Sequence, residues 1–199
     1  MLTLVIQAGG ESRRMGEDKA LKPFLGRPLI VHLLERLAGI ADEVLVTTNR
    51  PQAYAFLGVR LARDRVPGRG ALGGLYTALA EASQPLVAVV ACDMPFASAA
   101  FFLQAREWME QENWDVVVPF HEGGYEPLHA LYRRESCLPA VEAALQAGAW
   151  RVISWFDRVR VRKVSEEEMR RIDPSGRAFW NVNTPEEFAR AEEAARGEE

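Results

Sequence analysis

Alternating strand and helix patterns predict an α/β fold, a three-layer sandwich built around a mostly parallel sheet. Apolar runs of strand length alternate with helical patterns along the chain, and right-handed crossovers place such helices on both faces of a sheet. The 199 residues amount to about one domain. Because no internal repeat or linker interrupts them, we expect a single domain over residues 1–199.

Each element follows from its own residues. The first strand, 2–7, is an apolar run that ends in two glycines, and the run 86–91 is apolar throughout, which predicts a central strand. Helix 28–38 places leucine and isoleucine side chains on one face at helical spacing. The other predicted elements are strands at 43–47, 59–62, 114–119 and 159–164 and helices at 72–82, 98–112 and 135–147.

Two capping motifs near the end of the sequence predict the first residues of helices. Thr184 can cap a helix, Pro185 occupies its first position, and Glu187 can close a capping box. Ser165 and Glu168 form a second, weaker box. We therefore expect helices to begin after Ser165 and after Thr184.

The composition excludes several classes of protein. A hydrophobic fraction of 48% and a charged fraction of 26% are ordinary for a globular chain and argue against disorder or a coiled coil. The net charge of −4 argues against a nucleic-acid partner, and the longest apolar run is too short to span a membrane. The N-terminus lacks the basic region of a signal peptide, and the two cysteines form no framework. We expect a cytoplasmic protein with neither nucleic-acid nor membrane partners.

The loop after the first strand has the chemistry of a phosphate site. Ligands of such sheets bind beyond the C-terminal strand ends, and glycines there let backbone N–H groups converge on an anion. Five cations lie among the fifteen residues from Arg13 to Arg27, and two of the three lysines of the chain are Lys19 and Lys22. A solvated surface loop is the alternative. The spacing is not that of a P-loop, and the GxGxxG at 68–73 is weak evidence for a dinucleotide site because Pro67 interrupts the junction.

The same loop carries a resemblance to a known family. Residues 8–19 read AGGESRRMGEDK and resemble the AGGxSxRMGxDK signature of molybdenum cofactor guanylyltransferases. Further matches come in the family's order and together cover residues 3–190; they lie at 49–50, 71–79, 92–96, 126–132 and 181–187. The resemblance implies a Rossmann-like fold of the nucleotide-diphospho-sugar transferase type. It also implies transfer of GMP from GTP to the terminal phosphate of molybdopterin, with Mg²⁺ as cofactor and release of pyrophosphate.

The resemblance also assigns roles to individual residues. It implies that Arg14, Lys19 and Asp93 are catalytic, that Asp93 holds the metal, and that Asn181 and Asn183 bind molybdopterin. The implied GTP-binding residues are Gln7, Ala8, Gly9, Gly10, Lys19, Thr47, Asn49, Asp64 and Asp93. Gln7 departs from the family, which usually has leucine there. Molybdoenzymes or their chaperones are implied as partners that receive the product.

Several of these residues have an ordinary structural alternative. Asp93, at the end of an apolar strand, suits a hard cation on a triphosphate but also suits a helix cap after Pro95. Asp64 can accept the N–H groups of guanine or pair with a neighbouring arginine. Thr47 and Asn49 are also ordinary turn residues. Asn181 and Asn183, expected on one face of an apolar strand end, can bind phosphate or form a turn.

The sequence is compatible with other functions. The same phosphate loop and carboxylate serve a CTP-dependent molybdopterin cytidylyltransferase or another sugar-phosphate nucleotidyltransferase. A non-catalytic protein that binds and delivers the cofactor is the alternative of a different class. Nucleotide preference and pyrophosphate release distinguish these functions.

Overall fold

The fold is described from a computed structural model, which describes residues 1–8 and 18–197. Ten strands occur in this part of the chain: β1 (Leu2–Gln7), β2 (Pro23–Phe24), β3 (Arg27–Pro28), β4 (Glu43–Thr47), β5 (Arg60–Ala62), β6 (Leu86–Ala91), β7 (Val116–His121), β8 (Gly124–Tyr125), β9 (His129–Arg133) and β10 (Val161–Ser165). Its α-helices are α1 (Leu29–Leu37), α2 (Pro51–Tyr54), α3 (Gly70–Glu81), α4 (Ala99–Gln111), α5 (Arg134–Gln146), α6 (Glu166–Ile172) and α7 (Pro185–Arg196).

The main sheet is mixed but mostly parallel. Its strand order is β10-β7-β9-β6-β1-β4-β5, with β8 paired to the end of β7. β1 pairs in parallel with both β4 and β6, whereas β9 is antiparallel to its neighbours β6 and β7. The chain leaves β1 toward β4 on one side and returns to β6 on the other. This reversal beside β1 is where open α/β sheets bind ligands.

Helices cover both faces of the sheet, which confirms the predicted three-layer architecture. Alternate residues of β1 point to opposite faces, Leu4 and Ile6 to one core and Val5 to the other. The first core is completed mainly by α1, α4 and α6, and the second by α3 and α5. None of the helices in residues 1–8 and 18–197 has the length and apolar character needed to cross a bilayer.

A third apolar cluster anchors the C-terminal helix. Phe188 of α7 packs edge-on against Phe24 of the β2–β3 hairpin, and Val182 and Phe96 belong to the same cluster. Both predicted capping boxes are present: Ser165 caps α6 and Thr184 caps α7. The position of α7 is therefore fixed by its cap at one end and by the packing of Phe188, Ala191 and Ala195 along its length.

Most predicted elements are confirmed, whereas the short elements β2, β3, β8 and α2 were not predicted. The strands predicted at 114–119 and 159–164 begin two residues later, as β7 and β10. Strand β9, whose residues are almost all buried, was not predicted. The prediction of a strand end around Asn181 and Asn183 is wrong, because residues 177–183 are irregular.

Candidate active site

The ends of β1, β4 and β6 meet at one point of the sheet edge. The backbone N–H of Ala8 donates to Thr47 O (2.8 Å), and the N–H of Cys92 donates to Gln7 O (3.1 Å). These bonds hold the loops that follow the three strands close together. The predicted phosphate loop leaves from Ala8, and its residues Gly9, Gly10 and Arg14 lie outside the described residues.

A pocket lies at this edge, between the strand ends and the start of α3. We call it the strand-end pocket; it is lined by Gln7, Thr47, Thr48, Asn49, Asp64, Gly74 and Thr77. The structure thus brings together four residues predicted for GTP binding, from three separate strand ends. Thr48, Gly74 and Thr77 were missed. Thr77 is a hydroxyl with no exposed surface on an otherwise apolar helix face, and such a pattern is a signal that sequence reasoning could have used.

Asp64 is held in a defined orientation in the strand-end pocket. The Thr77 hydroxyl donates to Asp64 Oδ1 (2.9 Å), and the backbone N–H of Val66 donates to the same oxygen (3.0 Å). Oδ2 has no hydrogen-bond partner among the described residues. The alternative of an ion pair is not realised: Arg65 pairs with Glu81 (2.6 Å), and Arg63 donates to Asn49 O. One oxygen of Asp64 is therefore left to accept hydrogen bonds from a ligand.

Gln7 brings an amide to the same pocket. Its Nε2 is buried and has no partner within the described part of the chain. The amide lies against the backbone of Gly74, where an added Cβ would come within 3.0 Å of Gln7 Oε1. A side chain at position 74 would therefore displace the amide. A buried donor without a partner carries an energetic cost that a bound acceptor would remove.

Lys19, Asp93 and Asn183 form a second group, which we call the Lys19 cluster. Lys19 Nζ donates to Asn183 Oδ1 (2.8 Å) and lies 3.9 Å from Asp93 Oδ2. The backbone N–H of Val182 donates to Asp93 O (2.9 Å), so the segment before α7 is tied to the end of β6. Three residues distant in sequence thus meet around one cation.

Asp93 carries a buried carboxylate oxygen, Oδ1, that is not hydrogen-bonded to any described residue. Burial raises the pKa of Asp93, and the nearby Lys19 cation opposes that rise. The alternative role as a helix cap is wrong, because Ser98 caps α4 by accepting from the N–H of Phe101. Burial also raises the pKa of the neighbouring Cys92 thiol to about 12, which keeps the thiol protonated.

A hydrogen-bond network positions Lys19. Asp18 Oδ1 caps the short 3-10 turn Lys19–Leu21 by accepting from the N–H of Ala20. Asp18 Oδ2 accepts from the Tyr54 hydroxyl (2.7 Å) and pairs with Arg50. Since Tyr54 has no exposed surface and Arg50 follows β4, the network ties Lys19 to the loop that also carries Asn49.

Asn181 and Asn183, predicted as a pair, do different things. Asn183 contacts Lys19, whereas the Asn181 amide donates to Phe179 O (3.2 Å) and lines a second cavity. This side cavity, as we call it, has a volume of about 540 Å³ and lies between β7, α6 and the segment before α7. Its lining consists of His121, Glu126, Glu166, Met169, Arg170, Asp173, Gly176, Arg177, Ala178, Phe179, Trp180 and Asn181.

The donor set limits how a metal could be held. Residues 1–8 and 18–197 contain no group of three or more His, Cys, Asp or Glu side chains placed to hold an ion by themselves. Asp93 offers one carboxylate with a vacant oxygen. Mg²⁺ is commonly bound by one or two carboxylates, with substrate phosphates and water completing its shell.

Comparison with known proteins points to one family. Residues 4–161 match the model of the MobA-like NTP transferase domain. The chain is 36% identical to the molybdenum cofactor guanylyltransferase of Desulfosudis oleivorans, over 98% of this chain and 96% of the relative. It is 40% identical to a probable molybdenum cofactor guanylyltransferase of Pelotomaculum thermopropionicum, over 95% of this chain and 91% of the relative.

Solved structures agree with this grouping. The crystal structure of molybdopterin-guanine dinucleotide biosynthesis protein A from Archaeoglobus fulgidus superposes with a TM-score of 0.83 at 25% identity, covering 98% of this chain and 99% of that one. The 4-diphosphocytidyl-2C-methyl-D-erythritol synthase of Anaerococcus prevotii, at 13% identity and a TM-score of 0.72 over 98% of both chains, shows the likeness of fold alone.

Proposed function

Because the chain belongs to the family of MobA-like NTP transferases, we propose that it transfers GMP from GTP to the terminal phosphate of molybdopterin and releases pyrophosphate. The observation that carries the proposal is the Lys19 cluster beside the strand-end pocket. A cation and a carboxylate with a vacant oxygen lie next to the exit of the predicted phosphate loop. This is the arrangement that transfer of a nucleotidyl group requires.

The reaction is an exchange of one phosphoanhydride for another. An ionised oxygen of the acceptor phosphate attacks the α-phosphorus of GTP and forms a new P–O–P linkage. The bond from the α-phosphorus to the bridging oxygen breaks, and its electron pair leaves with pyrophosphate. Because a phosphate nucleophile is already ionised near neutral pH, no general base is needed, and catalysis consists of positioning and charge neutralisation.

Lys19 is the described cation that we assign to this neutralisation. Its Nζ is fixed between Asn183 and Asp93 at 2.8 and 3.9 Å from their oxygens, so its charge is oriented before a substrate arrives. Such preorganised charge costs no rearrangement during the reaction. Gly9, Gly10 and Arg14, outside the described residues, are assigned to phosphate binding by the family resemblance.

Asp93 fits the magnesium ion that the family implies. Its vacant, buried Oδ1 is a hard oxygen donor of the kind that Mg²⁺ prefers. We assign Asp93 as the protein ligand, with triphosphate oxygens and water as the others. When bound, the ion would supply charge stabilisation to the triphosphate.

Guanine fits the polar groups of the strand-end pocket. Asp64 Oδ2 can accept from the N1–H and N2–H₂ groups of guanine, and the Gln7 amide can donate to its O6. Cytosine and adenine each present an acceptor at the central position of the pairing edge, which would face the carboxylate. The pocket therefore favours GTP over CTP and ATP.

Calorimetric titration with GTP, CTP, ATP and UTP, each with Mg²⁺, tests the nucleotide assignment. We expect selective binding of GTP, weakened ~10-fold or more in Asp64→Asn because one charged acceptor is lost. Glu81→Gln is the matched control, since Glu81 is a nearby carboxylate that pairs with arginines outside the pocket lining. Preference for CTP would keep the chemistry and overturn the guanylyl assignment.

Pyrophosphate release tests the catalytic assignment separately. Release that requires both GTP and molybdopterin is expected of a transferase, whereas a protein that only binds and delivers cofactor releases none. The same proposal includes a cytoplasmic setting, one domain over residues 1–199, and molybdoenzymes or their chaperones as recipients of the product.

A further inference from the structure

The side cavity has the size and the mixed lining of a small-molecule site. Its volume of about 540 Å³ lies within the range of about 300–1,000 Å³ that is typical of ligand pockets. One wall is formed by His121 at the end of β7 and by Glu126 just after β8, and the other is formed by α6 and the segment 173–181. Aromatic rings and carboxylates face the same space, notably Phe179, Trp180 and Glu126.

Glu126 is held in place by a fixed histidine. The backbone N–H of Gly123 donates to His121 Nδ1 (2.9 Å), so the ring proton resides on Nε2, which donates to Glu126 Oε1 (2.6 Å). A Cβ at position 123 would lie 2.7 Å from His121 Cε1, so only glycine leaves room for this ring position. The other oxygen, Glu126 Oε2, has no hydrogen-bond partner within the described residues.

An aromatic side chain adjoins this carboxylate. Phe179 stacks on the His121 ring with centroids 5.7 Å apart and an interplanar angle of 27°. Phe179 is in turn packed edge-on against the buried ring of His129. The cavity thus combines a rigid aromatic wall with a preset carboxylate acceptor, which suits a flat ring that carries N–H donors.

The side cavity lies close to the Lys19 cluster along the segment before α7. Asn181 lines the cavity, and Asn183, two residues further on, accepts from Lys19 Nζ. Two residues of extended chain span at most ~7 Å. Between them, the Val182 N–H bonds to Asp93 O. A ligand whose ring lies in the cavity can therefore place a short phosphate-bearing arm at the cluster.

We propose that the side cavity binds the pterin ring of the acceptor, with Glu126, oriented by His121 and Gly123, accepting from the ring's 2-amino and N3–H groups. Phe179 and Trp180 supply the apolar wall. The inference rests on the proposed function, which makes a pterin the acceptor. His121 and Gly123 act here as positioning residues, whereas Glu126 contacts the ligand.

Guanine, a 2-amino-6-oxopurine, presents the same hydrogen-bonding pattern as the 2-amino-4-oxo edge of a pterin, so the experiment must separate the two ligands. The probe is 6-hydroxymethylpterin, followed by its own fluorescence, titrated into the full-length protein with and without saturating GTP and Mg²⁺. We expect binding that GTP does not displace. We expect Glu126→Gln to weaken it ~10-fold, because a charged hydrogen-bond acceptor is lost, and Asp64→Asn to leave it unchanged.

Glu122→Gln is the matched control, because Glu122 is an exposed carboxylate of the same turn that does not line the cavity. Gly123→Ala is the second test variant: displacement of His121 should weaken pterin binding and leave GTP binding unchanged. Thermal unfolding of each variant shows that the chain remains folded. Pterin binding that GTP displaces, or that is lost in Asp64→Asn but not in Glu126→Gln, overturns the proposal.

Steady-state kinetics separates failure of this inference from failure of the proposed function. With molybdopterin as acceptor, Glu126→Gln should raise the KM for the acceptor ~10-fold and leave the KM for GTP and kcat unchanged. An unchanged acceptor KM overturns the pterin site alone. If the wild-type chain releases no pyrophosphate from GTP and molybdopterin, the proposed function fails, and the fluorescence titration still decides whether the cavity binds pterins.

Discussion

The strand-end pocket and the side cavity are built in different ways. The first takes its polar groups from the last residues of parallel strands or just beyond them, where Gln7, Thr47 and Asp64 lie at the same sheet edge. The second takes them from His121 at the end of β7, from Glu126 just after β8, from α6 and from the irregular segment before α7. The strand-end pocket is therefore determined by the geometry of the sheet, whereas the side cavity is determined by contacts between distant segments.

The two regions also differ in how their carboxylates are fixed. Asp64 is held by a hydroxyl on a helix and a backbone N–H two residues away. Glu126 is held by a histidine whose own position depends on the absence of a Cβ at Gly123. We therefore expect substitutions in the first region to act on nucleotide binding, and those in the second to act on the acceptor.

The largest effect is expected where the two regions meet, at the Lys19 cluster. Lys19→Ala and Asp93→Ala should each lower kcat by ~100-fold or more, the scale of losing one preorganised electrostatic contact. Pyrophosphate release under saturating substrates measures this. Lys22→Ala is the control, since Lys22 lies over the Phe188 ring and not in the cluster. Near-normal turnover in either cluster variant would contradict the assigned roles.

The next-largest effect concerns the pH dependence of the unfolding free energy, through the buried His129, which packs against Phe179 of the side cavity. Burial lowers the pKa of His129 to about 4, from an ordinary value of 6.5. Because the unfolded chain takes up this proton at higher pH than the folded chain, the free energy of unfolding should fall by about 3 kcal/mol between pH 6.5 and 4. The loss due to this residue levels off below pH 4, where the folded chain also binds the proton.

Urea unfolding at several pH values measures this linkage, with His129→Gln as the test variant. Glutamine can still accept from the Ser98 N–H, the bond that His129 Nε2 receives at 2.9 Å, but it does not titrate. The fall of the unfolding free energy between pH 6.5 and 4 should therefore be smaller in the variant. Parallel curves for the two proteins would show that His129 does not control acid stability.

A smaller effect is expected from the residue that orients Asp64. Thr77→Val removes the hydroxyl that donates to Asp64 and accepts from the Arg65 N–H. GTP affinity should fall ~5-fold, because one hydrogen bond that orients the base acceptor is lost. Thr77→Ser keeps the hydroxyl and should bind GTP normally. Equal affinities in the valine and serine variants would argue against this positioning.

The smallest effect is expected at the anchor of the Lys19 turn. Tyr54→Phe removes one hydrogen bond to Asp18, which should cost about 1 kcal/mol of unfolding free energy and lower kcat by a few fold. Thermal unfolding and pyrophosphate release measure the two quantities. A fall in kcat with an unchanged KM for GTP supports a role in placing Lys19. A changed KM for GTP alone would show that Tyr54 acts on GTP binding instead.

Much of the first region was predictable because its signals are local. Apolar runs located β1, β4 and β6 to the residue, and polar residues immediately after strands of a parallel sheet share one edge. Asp64 and Asp93 were named from that rule together with the family resemblance. Gly74 and Thr77 were missed, because the helical pattern alone does not show which face of α3 turns toward the strand ends.

By itself, the sequence determined most of the alternating strands and helices, both capping boxes and the family. These depend on spacing within short windows of chain. Only the tertiary structure decided that Asn183 reaches Lys19 across 164 residues, that β9 inserts antiparallel between β6 and β7, and that Glu126 and Phe179 face one cavity. Such contacts depend on packing between distant segments, and no local periodicity encodes which distant residues will meet.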